Sequence, residues 1–335
     1  MIKSCVALVV LTSGVWWTSI LPAVARCAGE NLLSDYRVDR PEQIDAMFSR
    51  AHAVPNAKGL FWEVRKGDLP ASHLFGTFHA AEVVETTPDY VWDALENARV
   101  AIFEIDLNQK SAMERRMRMD PGFALDFQAE PLDEIVPLET LPDLSSALAR
   151  RGVKMDAAAQ MRPWLLISLL GFPACHLQAV AAGAEALDLV MAKRAHSTGV
   201  TVLSLETYEQ SVAALSSTPK AAIYAEIANA ARMDRISEDL FQTNIELYRT
   251  GEVQAVIEFS IWLAQHQHPG PDYRRSSEAL MSQLLDRRNQ EWMPKILSEF
   301  ATGGAFVGVG ALHLPGMDGL IELLRAEGYD VRRVD

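Results

Sequence analysis

The sequence predicts an α/β fold in which strands from both ends of the chain build one central sheet and a long helical stretch separates them. Three observations carry this. Short apolar runs bounded by turn residues occur at 59–65, 72–77 and 100–107, and again at 305–309 and 330–334. Between them, from about Ala112 to Ala264, apolar residues recur at a spacing near 3.6. Two of the strand-like runs end in one shared pattern, Gly76-Thr77-Phe78-His79 and Gly310-Ala311-Leu312-His313.

In chain order, residues 1–25 have the layout of a signal peptide: Lys3, an apolar stretch from Val6 to Ile20, then Ala23-Val24-Ala25 as an A-x-A site, with cleavage after Ala25. A lipoprotein reading at Cys27 is weaker, because Arg26 stands where a small residue is wanted. An uncleaved anchor is the other alternative, since the apolar stretch approaches the ~20 residues of a span. Residues 26–58 read as a loosely ordered lead-in with one short helix, near Pro41 to Ala53. The domain proper runs over 59–335.

There, Gly59 to Arg65 and Ser72 to Thr77 read as a hairpin around Lys66-Gly67-Asp68-Leu69-Pro70. Pro88 to Asn97 is a short helix with Val91, Trp92 and Leu95 on one face. Val100 to Leu107 reads as a buried strand holding Glu104 and Asp106, which alternation puts on the same side. Buried carboxylates require a partner, a metal or a proton. The helical insert, about 112–265, shows helix spacing at Leu141–Arg150, Ala157–Leu170, Ala184–His196, Val212–Thr243 and Val253–Gln265. Strand-like Thr201 to Leu205 interrupts it and leads into Glu206. After Pro269-Gly270-Pro271, Ser276 to Ala301 is an amphipathic helix interrupted near Pro294. The chain then runs strand 305–309, helix from about Met317 to Glu327, Gly328 as its cap, and strand 330–334.

The chain is 49% hydrophobic and 22% charged, enough for a large core. Loss of residues 1–25 removes Lys3 and no acid, moving the net charge from −13 to −14. That balance argues against nucleic acid as a partner. Cys27 and Cys175 remain after cleavage and can pair in an oxidising compartment, although Cys27 falls in the lead-in. A free pair is the other alternative, and neither cysteine has the spaced partners of a zinc site.

If the end strands are neighbours, His79 and His313 enter one crevice beyond the strand ends, where open α/β sheets bind ligands. With Glu104 they form a two-His-one-carboxylate set suited to Zn²⁺, Mn²⁺, Co²⁺ or Fe²⁺. The plainer reading is two hydrogen-bonded structural histidines. His73, on the same strand as His79, is either a support to the site or packed on the sheet. His266 and His268 read as solvated residues at a helix end. No P-loop, Gly-x-Ser-x-Gly, His-Glu-x-x-His or dinucleotide-binding glycine pattern occurs.

The two Gly-x-x-His motifs, Tyr90 to Ala98, Phe103-Glu104-Ile105-Asp106, Arg162-Pro163-Trp164, Leu205-Glu206-Thr207 with Gln210, Arg288-Asn289-Gln290-Glu291-Trp292 and the ending Val307 to Tyr329 together resemble the TraB/GumN family and the related Tiki metalloproteases. The resemblance spans about residues 59–334. It implies an α/β fold of the erythromycin-esterase/ChaN-like type. It further implies a divalent-metal peptidase, favouring Mn²⁺ or Co²⁺, that depends on His79, His313 and Glu104. Tiki proteins are membrane-tethered animal enzymes, whereas this chain reads as exported and without a stable span after cleavage. Glu206, Arg288 and Asn289 match family positions of unassigned role.

The expectation is therefore a periplasmic or secreted metal-dependent hydrolase, a peptidase first, acting on a peptide or small molecule. His79, Glu104 and His313 would bind the metal, Asp106 or Glu206 would orient a ligand or serve as base, and Arg288 would hold a carboxylate or oxyanion. The alternatives are a metal-free esterase with a His base and a non-catalytic peptide- or ligand-binding protein. The insert should cover the crevice and determine what enters.

Overall fold

The computed structural model describes residues 27–270 and 272–334. The leader, its cleavage site, Pro271 and Asp335 lie outside the described residues.

Six strands form one sheet: β1 Phe61–Arg65, β2 Ser72–Thr77, β3 Val100–Phe103, β4 Thr201–Ser204, β5 Ala305–Gly310 and β6 Asp330–Arg333, in the order β4-β3-β5-β2-β1-β6. The first and last strand groups do meet. β5 lies between β2 and β3 and is parallel to both, with Thr77 opposite Gly310 and Phe103 opposite Gly308. β4, from within the insert, extends the parallel run from β3, whereas β1 is antiparallel to β2 and β6. β3 is shorter than its apolar run and ends at Phe103.

Alternation along the strands fills two cores. Phe61, Phe75, Ala101, Phe103 and Phe306 point to the face covered by helices Asp89–Glu96, Leu187–Ser197 and Ser237–Arg249. Trp62, Leu74, Ile102, Val307 and Val309 point to the other, covered by Arg287–Phe300 and Leu320–Ala326. Burying each such side chain is worth ~1.5–3 kcal/mol, so a one-residue slip of any central strand would exchange its faces and lose several at once.

The insert has a core of its own, built around Leu144, Leu148, Leu166 and Ile227. Its predicted helix Val212–Thr243 is three helices, Tyr208–Ser216, Lys220–Met233 and Ser237–Arg249, because Pro219 and the turn at Asp234 break the run. The predicted interruption of Ser276–Ala301 also moves. A single widened π turn, Ser282–Asp286, separates Tyr273–Met281 from Arg287–Phe300, and Pro294 sits inside the latter.

The lead-in is more ordered than its sequence suggests. Helices Leu32–Asp39 and Pro41–His52 pack Leu33, Ile44 and Met47 against Phe259 and Leu263. The backbone before them is tied down by Glu30 N donating to Asp239 Oδ1 (2.8 Å) and Leu32 N to Thr243 Oγ1 (2.9 Å). Cys27 is disulfide-bonded to Cys175, 148 residues away. Tertiary contacts supply order that the short first helix, with one buried residue, lacks by itself.

No single helix among the described residues is long and apolar enough to cross a membrane. The pair Pro163–Leu170 and Ala174–Ala181 passes by length and composition together but is bent by 98°.

Candidate active site

Three parallel neighbours bring the candidate residues together. His79 follows β2 by two residues, His313 follows β5 by three, and Glu104 follows β3 directly. β4 ends opposite Phe103, and Glu206 N donates to Glu104 O (3.1 Å), which carries the β3–β4 pairing one step further and places Glu206 beside the same edge.

The glycines of the two motifs are there for proximity, not for turning. A Cβ on Gly76 would stand 2.9 Å from the Ala311 backbone. A Cβ on Gly310 would stand 3.2 Å from Glu104 Oε1, 3.6 Å from His313 Cδ2 and 3.8 Å from His79 Nε2. Gly310 is thus the floor on which the three side chains converge, and any larger residue would fill the space between them.

Each imidazole is tied at Nδ1 by an oxygen. His313 Nδ1 lies 2.7 Å from Asn289 Oδ1. Asn289 Nδ2 donates to the backbone oxygens of His313 (3.2 Å) and Asp318 (2.9 Å), so Oδ1 is the acceptor and His313 Nδ1 carries the proton. Its Nε2 therefore carries the lone pair, which accepts from Arg288 Nη1 (3.4 Å), and it stands 3.6 Å from Glu104 Oε1. His79 Nδ1 lies 3.2 Å from Asp188 Oδ1, with Nε2 on the Gly310 side.

Glu104 accepts Gly310 N–H at Oε1 and Arg288 Nη2 at Oε2, both at 2.7 Å. Arg288 also donates to Glu206, from Nη2 (2.7 Å) and Nε (3.2 Å), and to Leu284 O from Nη1 (3.0 Å). Glu206 takes a further bond from Trp292 Nε1 (3.0 Å). The Trp292 ring lies against both the Arg288 guanidinium and His313, 4.5 Å from each.

The charges follow from this packing. Burial pushes the His313 pKa down to about 3, outweighing the nearby Glu104, so the imidazole is neutral at neutral pH. Burial would raise the Glu104 carboxyl, but His313, Arg288, His79 and the Gly310 N–H outweigh it, and the group is held well below the usual carboxylate range. Asp188 raises the His79 pKa. About half of that side chain is open to solvent, so water screens the pair.

A cavity of about 230 Å³ opens onto these groups, walled mainly by apolar side chains. A larger one, about 560 Å³, is lined by Glu82, His176, Val180 and Arg249 and contains none of the candidate residues.

Of the residues singled out in the sequence, His79, Glu104, Arg288 and His313 line the smaller cavity. Glu206 stands behind Arg288 and is buried. Asp106 does not share a strand face with Glu104: β3 has ended, and Asp106 caps the helix Leu107–Met119 by accepting Gln109 N–H at 2.8 Å. His73 stacks on Phe61, 5.1 Å between ring centres, and is part of the sheet packing. His266 stacks on Trp262 rather than standing free in solvent. Asp188, one acid in the first turn of a helix, carries no sequence signal, and Asn289 carries one only as a position matched in the resemblance.

The residue types, two imidazoles and a carboxylate, are those that bind a divalent ion. The Nε2 atoms of two imidazoles and Glu104 Oε1 border one space, and each imidazole has the Nδ1 partner that fixes a metal-binding tautomer. As placed, no three His, Cys, Asp or Glu side chains among the described residues stand close enough to hold an ion, and Arg288 occupies Oε2. Both Glu104 oxygens already accept a hydrogen bond, Oε1 from Gly310 N–H and Oε2 from Arg288 Nη2.

The model of the TraB/PrgY/gumN family matches residues 60–333. No curated protein and no solved structure gives a significant match.

Proposed function

This chain belongs to the TraB/PrgY/gumN family, and from that premise we propose that it is an exported metal-dependent hydrolase, a peptidase first, with a fold of the erythromycin-esterase/ChaN-like type. The observation that carries the proposal is the pairing of His79 and His313, each tied to an oxygen at Nδ1, with His79 Nε2, the His313 ring and Glu104 Oε1 gathered around Gly310. Those three residues would hold the ion, Mn²⁺ or Co²⁺ before Zn²⁺ or Fe²⁺. The ion would activate water and polarise the carbonyl under attack. Arg288, permanently charged and fixed by Glu206 and Leu284, supplies a cation for a developing oxyanion or a substrate carboxylate. Glu206 holds Arg288 in place. Export is supported by the leader-like residues 1–25 and by the Cys27–Cys175 bridge, since disulfides persist in oxidising compartments.

One arrangement favours a second reading. His79 backed by Asp188 has the form of a general base with its orienting carboxylate, and Arg288 close to Glu104 and His313 serves an oxyanion without any ion. That would be a metal-free esterase or amidase.

The deciding experiment is metal analysis of the purified mature chain, with peptide and ester hydrolysis assayed before and after chelation and on adding back Mn²⁺, Co²⁺ or Zn²⁺. Loss on chelation and recovery with metal supports the first reading. Full activity in chelator overturns it in favour of the second. Ligand binding without turnover under every condition would leave a binding protein.

A further inference from the structure

The cavity beside the candidate site has one wall whose apolar side chains serve no core. Met281, Leu284 and Leu285 belong to none of the four hydrophobic clusters, and the π turn Ser282–Asp286 buries no residue. Yet all three are half-buried, because they face the cavity rather than bulk water. Met281 closes one helix, Leu284 and Leu285 lie in the π turn, and Arg288 stands in the first turn of the next helix, and all four line the cavity. Leu284 O accepts Arg288 Nη1 at 3.0 Å, so the turn that presents the leucines also holds the guanidinium. Such widened turns recur at functional sites. Phe78, Val256 and Leu312 also line it. The remaining lining includes His79, Glu104, Arg288 and His313.

We propose that this cavity binds one uncharged apolar side chain of the substrate, of a size between Val and Phe, and that Met281, Leu284 and Leu285 set that size. The volume, about 230 Å³, is smaller than the 300–1,000 Å³ usual for a whole drug-sized ligand, and so suits a single side chain. An apolar group removes the exposed parts of Met281, Leu284 and Leu285 from water. A charged group there would lose its hydration without gaining a partner among the walls. The proposal rests on the hydrolase reading for the fate of the bound molecule, but not for the binding itself.

The test therefore begins with binding. N-acetyl amino-acid amides of Val, Leu, Phe, Asp and Lys are titrated into the full mature chain and followed by calorimetry or NMR, with hydrolysis of a peptide library measured separately. The expected result is binding of the Leu and Phe amides about 10–100-fold tighter than of the Asp and Lys amides, the range that apolar pockets achieve. Leu285→Trp should weaken the Leu and Phe amides by at least about 10-fold, with a native circular-dichroism spectrum. Should that variant not fold, Leu284→Ala should shift the preference toward Phe and away from Val. No binding, equal binding of charged and apolar amides, or a preference unmoved by a folded wall variant would overturn the proposal. Selective binding without hydrolysis would leave the pocket standing and remove the hydrolase reading. Hydrolysis without apolar preference would do the reverse.

Discussion

The Arg288 guanidinium donates from Nη2 to Glu104 Oε2 over 2.7 Å. The same nitrogen also reaches Glu206 Oε1, so one cation serves two carboxylates that arrive from neighbouring strands. Neither the strand pattern nor a Gly-x-x-His motif announces this. It makes Arg288 a structural keystone as well as a candidate oxyanion ligand. Replacing it with Met should leave two carboxylates facing each other without a counter-ion, at a cost of ~3–5 kcal/mol. The penalty should shrink as pH falls, because protonating either carboxyl relieves the repulsion. Thermal unfolding of Arg288→Met and the parent from pH 8 to pH 4 measures this; a constant difference would show that Arg288 does not hold the pair.

His313 gives a pH dependence of known sign. Its folded pKa, about 3, lies below the ~6.5 of an unfolded histidine, so the unfolded chain binds its proton more readily. Metal-free protein should lose stability as pH falls from ~6.5 toward 3, by up to ~1.4 kcal/mol per pH unit from this residue. Glu104, also depressed, adds a loss in the same direction once the pH passes below its unfolded value. Urea unfolding in chelator at several pH values should show a shallower acid slope for His313→Gln. Parallel slopes would mean that His313 is charged in the folded protein.

The Cys27–Cys175 bridge closes a loop of 148 residues and joins the first described residue to helix Ala174–Ala181. Cys27→Ser should lower stability by ~2–5 kcal/mol, and reduction should do the same to the parent but not to the variant. Peptide mapping without reductant, with melting temperatures in each state, checks both.

How much was legible in the sequence follows from what each feature depends on. All six strands are marked by local apolar runs, and the repeated Gly-x-x-His marks two strand ends that must be neighbours if the sheet is to close. Period-two reasoning failed at Glu104 and Asp106, because the chain leaves the sheet at Phe103 and Asp106 turns to cap a helix. A carboxylate two residues past an apolar run looks the same in either case. Asp188, Asn289 and the leucines of the π turn reach the site only through long-range packing, which periodicity does not encode. The disulfide was open for the same reason: its geometry depends on where helices Ser237–Arg249 and Ala174–Ala181 place the two cysteines.

Asp188 pairs with His79. Asp188→Asn should leave the melting temperature nearly unchanged, since the His79 side of the pair is half open to solvent. Under the metal reading it should weaken metal affinity ~10–100-fold, as loss of an imidazole's supporting carboxylate does. Metal titration by calorimetry decides; unchanged affinity would remove His79 from the proposed ligand set.

Glu104 and Asp106 separate the roles of the two acids that sequence had placed together. In Glu104→Gln the amide oxygen can take the place of Oε1 under Gly310 N–H, but the NH₂ then faces Arg288, donor against donor. Turned over, it faces Gly310 N–H instead. One hydrogen bond is lost in either orientation, and Arg288 keeps Glu206 and Leu284 O. The variant should fold with a moderately lower melting temperature, lose hydrolysis, and bind metal weakly, because an amide is a poor ligand for a hard or borderline cation. Asp106→Asn should change nothing measurable in activity or metal binding, since Asn caps a helix as well as Asp does. Asp106→Ala should cost ~1 kcal/mol of stability and no activity at saturating substrate. Activity, metal content and melting temperature of the three variants test the division. If Asp106→Asn were the more damaging change, the acid at the site would be Asp106, and the ending of β3 at Phe103 would have to be wrong.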